Sequence, residues 1–147
     1  MNIYLACTVR GDRGAVSALR EVADLLERHG HVVLTRHLLV DDVDAAESEL
    51  TEREVFERDL RWLDGADLLI AEASGSSFGV GFEVGYILGR AAATGQRVLL
   101  LYQTARRSQV SRLIAGNVHA CCTTYAYRDG EDLLRLVEAF MAPVPRG

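Results

Sequence analysis

The chain has 147 residues and a mass of 16.1 kDa, a size that fits one domain with its own hydrophobic core. Hydrophobic residues make up 49% of the chain and charged residues 25%, with 2 prolines, which excludes a disordered or collagen-like protein. The net charge of -5 excludes the basic surface of a protein that coats nucleic acid polymers. Because the N-terminus lacks a signal peptide and no apolar run approaches ~20 residues, we expect a cytoplasmic protein without a membrane partner.

The cysteines and histidines do not have the spacing of a metal site. Cys7, Cys121 and Cys122 are an odd number of cysteines without a CxxC motif, and no group of histidines surrounds them. Neither a disulfide framework nor a zinc site is therefore expected. We predict no metal and no cofactor.

Apolar runs alternate with helical patterns along the chain. The first run ends in a polar turn, and apolar residues at spacings of three and four follow until Gly30. Thr51, with Glu54 three residues later, has the spacing of a capping box that begins a helix. The strands are predicted at residues 3–7, 32–34, 68–71, 98–102 and 118–125, and the other helices at 16–26, 80–93, 109–114 and 132–140.

Strands separated by helix-length segments predict an α/β fold, namely a single-domain, doubly wound, five-stranded parallel sheet with helices on both faces, flavodoxin-like or Rossmann-like. We assign this domain to residues 1–141 and a frayed tail to residues 142–147. Such sheets bind ligands beyond the carboxyl ends of their strands, where the strand order reverses. The turns after the first and third strands are therefore the candidate site.

Asp59 occupies an apolar position of the helix that begins at Thr51. Val55, Phe56, Leu60 and Leu63 form the predicted core-facing stripe, and Asp59 lies three or four residues from the first two of them. Arg58 and the other charged residues of this helix are placed on the solvent side. Asp59 is either a buried ion-pair partner or a carboxyl group with a raised pKa, which suits a proton donor.

Glu83 is the second acid on an inward helical stripe, among Val80, Val84 and Ile87. With a helix that begins at Val80, Glu83 lies in the first turn, where free N–H groups and the helix dipole favour the ionised form. That environment suits a nucleophile, and helix capping is the alternative. Two carboxyl groups in different environments are typical of the acid and nucleophile of glycoside hydrolysis.

Two turns have the composition of an anion site. The segment 73–81 combines small residues and hydroxyls, including Ser77 and Gly79, with a helix N-terminus. The segment 8–13 follows the first strand, and there the Thr8 hydroxyl, the guanidinium of Arg10 and free N–H groups around Gly11 could bind the same anion. The spacing of the glycines is not that of a dinucleotide-binding fold. Gly81, Gly85 and Gly89 predict instead a flat ridge that packs against a helix, within the subunit or across a dimer.

Four segments together resemble the nucleoside 2-deoxyribosyltransferase superfamily, and especially its 2'-deoxynucleoside 5'-monophosphate N-glycosidases. They are Ile3-Tyr4-Leu5-Ala6-Cys7-Thr8-Val9-Arg10-Gly11, Asp59-Leu60-Arg61-Trp62-Leu63, Ala66-Asp67-Leu68-Leu69-Ile70-Ala71-Glu72 and Ser77-Phe78-Gly79-Val80-Gly81-Phe82-Glu83-Val84-Gly85. The resemblance extends in order over nearly the whole chain, and its last segment is the most specific.

The resemblance implies that the protein hydrolyses the bond between base and sugar of a nucleotide and releases deoxyribose 5-phosphate. Glu83 matches the family's nucleophile, Asp59 its acid/base residue and Tyr4 a tyrosine associated with deoxyribose. Thr8, Arg10, Ser77 and Gly79 match phosphate-contacting positions. Ser111 matches a serine that reaches the phosphate from the neighbouring subunit, which implies a homodimer with shared sites.

The sequence departs from this family at two places. Cys7 and Thr8 stand where the glycosidases usually have Gly-Ser, and Phe82 replaces a tyrosine beside the nucleophile. These positions bear on phosphate geometry and base preference. Three alternative functions stay open: a base-exchanging deoxyribosyltransferase, a ribonucleotide hydrolase of the CMP type, and a non-catalytic nucleotide sensor. The two inward acids argue against the sensor, because a module that only binds an anion has no need to bury them.

Overall fold

The structure is a computed structural model that describes residues 1–142, and it contains a five-stranded parallel sheet in the order β2-β1-β3-β4-β5. The strands are β1 (Asn2–Ala6), β2 (Val32–Val33), β3 (Leu68–Glu72), β4 (Arg97–Gln103) and β5 (Cys122–Tyr127). The α-helices are α1 (Val16–Arg28), α2 (Val43–Glu47), α3 (Glu52–Gly65), α4 (Phe78–Thr94), α5 (Arg112–Ala115) and α6 (Gly130–Met141). Short 3-10 helices cover Arg36–Leu39 and Thr104–Arg106.

The predicted doubly wound fold is confirmed, and the strand order reverses between β1 and β3. Side chains that alternate along the strands supply two cores, one beneath α1 and α6 and one beneath α3 and α4. In β1, Ile3 and Leu5 belong to the first core, whereas Tyr4 points to the second. Within residues 1–142, no helix is both long and apolar enough to cross a membrane. Most of the predicted tail, residues 143–147, lies outside the described residues.

Side-chain caps fix the start of the two helices that carry the candidate acids. Both halves of the predicted capping box are present in α3, since the backbone N–H of Glu54 donates to Thr51 Oγ1 and that of Thr51 to the Glu54 carboxylate. In α4 the Ser77 side chain accepts from the backbone N–H of Val80. This cap begins α4 at Phe78, two residues earlier than predicted.

The structure differs from the predicted elements at the last strand and between β2 and α3. The last strand begins at Cys122 rather than at residue 118, and Val118 is 94% exposed in the connection before it. The acidic segment after β2 contains the helix α2, whose start is capped by the Asp42 side chain. Because Asp is typical of caps and turns, the acidic composition of residues 41–49 did not predict a helix.

Candidate active site

A cleft of about 480 Å³ opens at the carboxyl ends of β1 and β3, where the strand order reverses. The loops after these strands, the N-terminus of α4 and residues of α2 and α3 form its walls. Its polar lining residues include Arg10, Glu47, Asp59, Ser77 and Glu83. The cleft therefore lies where a doubly wound sheet is expected to bind its ligand.

Glu83, which lines this cleft, forms a direct hydrogen bond with Tyr4, which is buried and is not itself a lining residue. The Tyr4 hydroxyl donates to Glu83 Oε1 over 2.7 Å, from a ring that is fully buried beneath α3 and α4. Burial and the adjacent carboxylates of Glu83 and Asp59 raise the pKa of Tyr4 far above its ordinary value. The phenol therefore keeps its proton and donates it to the Glu83 carboxylate in this hydrogen bond.

The electrostatic environment of Glu83 differs from the prediction. Because α4 begins at Phe78, Glu83 is its sixth residue and lies beyond the free N–H groups of the first turn. Burial raises the pKa of Glu83 to about 7, an effect that the Tyr4 hydrogen bond opposes and the Asp59 charge reinforces. The expectation that the helix terminus keeps this carboxylate ionised is therefore wrong, and the Tyr4 hydroxyl is its stabilising donor.

Asp59 lines the same cleft and is bound by its neighbour Arg58. The Arg58 guanidinium contacts Asp59 Oδ1 through Nε and Nη2, each over 2.9 Å. Burial raises the pKa of Asp59 above its ordinary value, although the Arg58 hydrogen bond and charge oppose this effect. The carboxyl group thus has the raised pKa predicted for it and also the ion-pair partner that was considered as the alternative.

Some of the predicted phosphate-binding residues line the cleft, and others lie outside its lining. Arg10, Ser77 and Gly79 line the cleft, and the side chain of Arg10 is 83% exposed and forms an ion pair of 3.3 Å with Asp44. Gly11 has a φ of +125°, which favours glycine in the turn after β1, but it is not among the lining residues. The Arg10 guanidinium is therefore accessible to an anion in the cleft.

Thr8 lies at a close contact between the turns after β1 and β3. Thr8 is buried, and a Cβ at Gly75 would lie 2.3 Å from Thr8 Oγ1. Gly75 thus allows the loop after β3 to pack directly on the turn after β1. The side chain of Thr8 is absent from the cleft lining, and within residues 1–142 its buried hydroxyl has no hydrogen-bond partner.

A second surface of the chain is apolar and exposed. Phe56, which the sequence placed in the core, is 51% exposed and packs on Phe82 with ring centroids 6.3 Å apart. Phe78, which also lines the cleft, is 99% exposed. A Cβ added at Gly81, Gly85 or Gly89 would meet no atom within 4 Å among the described residues. The glycine ridge of α4 therefore does not pack against a helix of its own subunit.

Ser111 is exposed at the start of α5 and makes no capping hydrogen bond with its side chain. It does not line the cleft of its own chain.

The sequence interpretation missed Glu47 and the inward position of Arg58. Arg58 was placed on the solvent side, yet its side chain is 15% exposed and contacts Glu47 over 2.6 Å. It also lies 4.8 Å above the Trp62 ring. The spacing of Arg58 and Trp62, four residues apart on one helix, is the signal that could have predicted this stacking.

Comparisons with known proteins agree on one family. The sequence profile described as nucleoside 2-deoxyribosyltransferase matches residues 3–130. A protein of Thermofilum pendens provisionally named 2'-deoxynucleoside 5'-phosphate N-hydrolase 1 is 40% identical over 96% of this chain and 95% of its own length. The 5-hydroxymethyl-dUMP N-hydrolase of Danio rerio is 34% identical over 79% of this chain and 78% of its own.

Among solved structures, the Clostridium botulinum CMP N-glycosidase BcmB superposes with a TM-score of 0.69. The superposition covers 96% of this chain and all of that one, at 19% sequence identity. At this level of identity the likeness concerns the fold, and it agrees with the doubly wound sheet described above.

Proposed function

Because the chain belongs to the nucleoside 2-deoxyribosyltransferase family, we propose that it hydrolyses the N-glycosidic bond of 2'-deoxynucleoside 5'-monophosphates. The products are the free base and deoxyribose 5-phosphate. The observation that carries this proposal is the hydrogen bond of 2.7 Å between Tyr4 and Glu83 in a cleft that also contains Asp59. The names of the relatives from Thermofilum pendens and Danio rerio support the same substrate class.

The first chemical step is attack by Glu83 on C1' of the sugar. An oxygen of Glu83 forms a bond to C1' while the bond from C1' to the base nitrogen breaks, and its electron pair stays with the base. Asp59 donates a proton to the leaving base. Tyr4 holds Glu83 Oε1, which leaves Oε2 free to attack.

The second step is hydrolysis of the glycosyl-enzyme. The Asp59 carboxylate, which has lost its proton in the first step, takes a proton from water, and the water oxygen attacks C1'. The bond between C1' and Glu83 breaks, and the enzyme returns to its starting protonation state. The raised pKa of Asp59 suits both transfers, because a base whose pKa approaches the working pH exchanges protons readily.

The phosphate of the substrate is bound by Arg10, Ser77 and the backbone at Gly79, and Gly11 shapes the turn that carries Arg10. Arg10 supplies an exposed guanidinium, and Ser77 and Gly79 lie where α4 begins, so that anionic oxygens meet free N–H groups and the positive end of the helix dipole. Thr8 supports this turn from beneath.

A homodimer completes the site in this proposal. The exposed aromatic residues and the open glycine ridge of α4 form a surface that a second copy can cover. On that arrangement Ser111, which does not reach the cleft of its own chain, contacts the phosphate in the site of its partner.

Base release from a panel of substrates tests the proposed activity. The protein is incubated with deoxyribonucleoside and ribonucleoside 5'-monophosphates and with the parent nucleosides, with and without a second free base, and the products are separated by chromatography. We expect release from the deoxy monophosphates without an acceptor base.

Each other result favours one of the alternatives. Release that requires an acceptor base would indicate a deoxyribosyltransferase. Release from ribonucleotides alone would indicate a hydrolase of the CMP type. Binding of nucleotides without release would indicate a sensor.

A further inference from the structure

The Arg58 guanidinium binds two carboxylates that come from different helices. Its Nη2 lies 2.6 Å from Glu47 Oε1 of α2 and 2.9 Å from Asp59 Oδ1 of α3. Its Nε also contacts Asp59 Oδ1 over 2.9 Å. Both nitrogens therefore bind one oxygen of Asp59, and no hydrogen bond to Asp59 Oδ2 occurs among residues 1–142.

The side chain of Arg58 is held in place by aromatic packing. Its guanidinium lies 4.8 Å above the Trp62 ring, and the other neighbour of that ring is His37, with centroids 5.1 Å apart. His37 Nε2 lies 3.4 Å from Glu47 Oε1. Arg58, Trp62, His37 and Glu47 therefore form one continuous cluster. An arginine that is stacked and mostly buried loses little further freedom when it fixes a carboxylate.

We propose that Arg58 is a positioning residue for Asp59 and that Glu47 tunes its effect by sharing the same cation. Arg58 fixes Oδ1 of Asp59 and leaves Oδ2 as the oxygen that carries the proton to the leaving base. Glu47 pairs with the same guanidinium and thereby reduces the electrostatic effect of Arg58 on Asp59. This inference extends the role of Asp59 in the proposed function.

The charges around Asp59 predict opposite effects for the two partners. The titratable and charged groups that face it are Arg58 on its own helix, Glu47 of α2, His37 of the first 3-10 helix, Glu83 of α4 and Tyr4 of β1. Burial lowers the pKa of His37 and Tyr4 keeps its proton, so both are neutral near pH 7. Loss of Arg58 thus raises the pKa of Asp59, whereas loss of the Glu47 charge lowers it.

The experiment measures the pKa of Asp59 directly in the free protein. Carboxyl carbons of aspartate are labelled with ¹³C and titrated by NMR, and Asp59→Asn identifies the resonance. The variants are Arg58→Gln, Arg58→Lys and Glu47→Gln. The control is Arg53→Gln, which removes an exposed arginine from the same helix, paired with Glu57 at 2.7 Å.

We expect the Asp59 titration to move up by about 1 or more on the pH scale in Arg58→Gln and to move down in Glu47→Gln. Arg58→Lys keeps a positive charge, so the upward shift of the Asp59 titration is smaller than in Arg58→Gln. Arg53→Gln leaves the titration unchanged. In turnover assays, the limb of the kcat/KM pH profile that reports the titration of Asp59 moves up in Arg58→Gln and down in Glu47→Gln. If Arg58→Gln does not fold, the downward shift in Glu47→Gln remains the test.

The proposal would be overturned if the Asp59 titration moved equally, or not at all, in Arg58→Gln and Glu47→Gln. Loss of a purely structural ion pair would reduce stability without shifting this titration in opposite directions. The NMR titration does not require turnover. A protein that shows the opposite shifts but releases no base would therefore contradict the proposed function and not the arrangement around Asp59.

Discussion

The Tyr4 hydroxyl and the Glu83 carboxylate, 79 positions apart in the chain, meet over 2.7 Å because Tyr4 of β1 points into the core beneath α3 and α4 and Glu83 lies near the start of α4. The hydrogen bond gives Glu83 a donor that does not ionise, in a place where burial alone would favour the neutral acid. Tyr4 thus opposes part of the effect of burial and fixes one oxygen of the carboxylate. In the proposed mechanism the other oxygen attacks the sugar.

Glu83→Gln removes the nucleophile but keeps the shape of the side chain and an oxygen for Tyr4. We expect kcat to fall by about 10,000-fold or more, because the neutral amide at position 83 cannot act as the nucleophile at C1'. Binding of a deoxynucleoside monophosphate, measured by calorimetry, stays within about 10-fold of that of the unmodified protein. Glu21→Gln, on the exposed side of α1, is the matched control. Normal turnover in Glu83→Gln would remove Glu83 as nucleophile.

The same variant changes how stability depends on pH. The pKa of Glu83 is about 7 in the folded protein and about 4.3 in the unfolded chain, so the folded state binds the proton more tightly. Stability therefore decreases as the pH rises through this window.

Glu83→Gln has no carboxyl group that ionises at position 83, so its stability does not decrease in this way. We expect it to be more stable than the unmodified protein by about 2 kcal/mol at about pH 8.5 and by little at about pH 5. Urea unfolding at both pH values measures the difference. A difference that is the same at both pH values would contradict a raised pKa.

Tyr4→Phe removes the hydroxyl that donates to Glu83. Because this hydrogen bond lowers the pKa of Glu83, its loss raises that pKa above about 7. The ionised nucleophile then forms at higher pH, so the acidic limb of the kcat/KM profile moves upward, and kcat falls by about 10-fold to 100-fold. Tyr125→Phe, at an exposed position of β5, is the control. A reduced rate with an unshifted limb would mean that Tyr4 does not act on Glu83.

Ser111→Ala tests the phosphate contact across the proposed dimer. We expect KM for deoxynucleoside monophosphates to rise by about 10-fold, with no change for unphosphorylated nucleosides, because only the charged hydrogen bond is lost. Ser108→Ala, in the exposed connection before α5, is the control. Equal effects on both substrate classes would contradict a phosphate contact.

Mixing two variants tells whether Ser111 acts on its own subunit or on its partner. A heterodimer of Ser111→Ala and Glu83→Gln chains contains one site with both residues intact only if Ser111 crosses the interface. Mixing should then restore a site with normal KM for monophosphates. If KM remains that of the Ser111→Ala chain, the serine acts within one subunit or the protein is not a dimer.

Periodicity predicted those features of the fold that depend on local sequence. The alternation of apolar runs and helical patterns gave the order of the elements, and the Thr51 and Glu54 capping box gave the start of α3. The inward acids Asp59 and Glu83 were also recognisable, because each interrupts an apolar stripe and no local rule explains it.

The errors concern features that tertiary contacts decide. Because Arg58 is charged, the sequence predicts it on the solvent side of α3. Its side chain instead pairs with Glu47 of α2 and stacks on Trp62 of its own helix. Phe56 is apolar and was therefore placed in the core, but it packs on Phe82 at an exposed surface. A hydrophobic pattern identifies the apolar side of a helix, and it does not tell whether this side meets a core or another surface.

The configuration of the product at C1' tests the covalent role of Glu83 most directly. The protein hydrolyses a deoxynucleoside monophosphate in water that contains methanol, and NMR identifies the anomer of the methyl deoxyriboside 5-phosphate. Two successive displacements at C1' retain the β configuration of the substrate, and the account therefore predicts the β-methyl glycoside. The α-methyl glycoside would mean a single displacement by the solvent and would contradict a glycosyl-enzyme on Glu83.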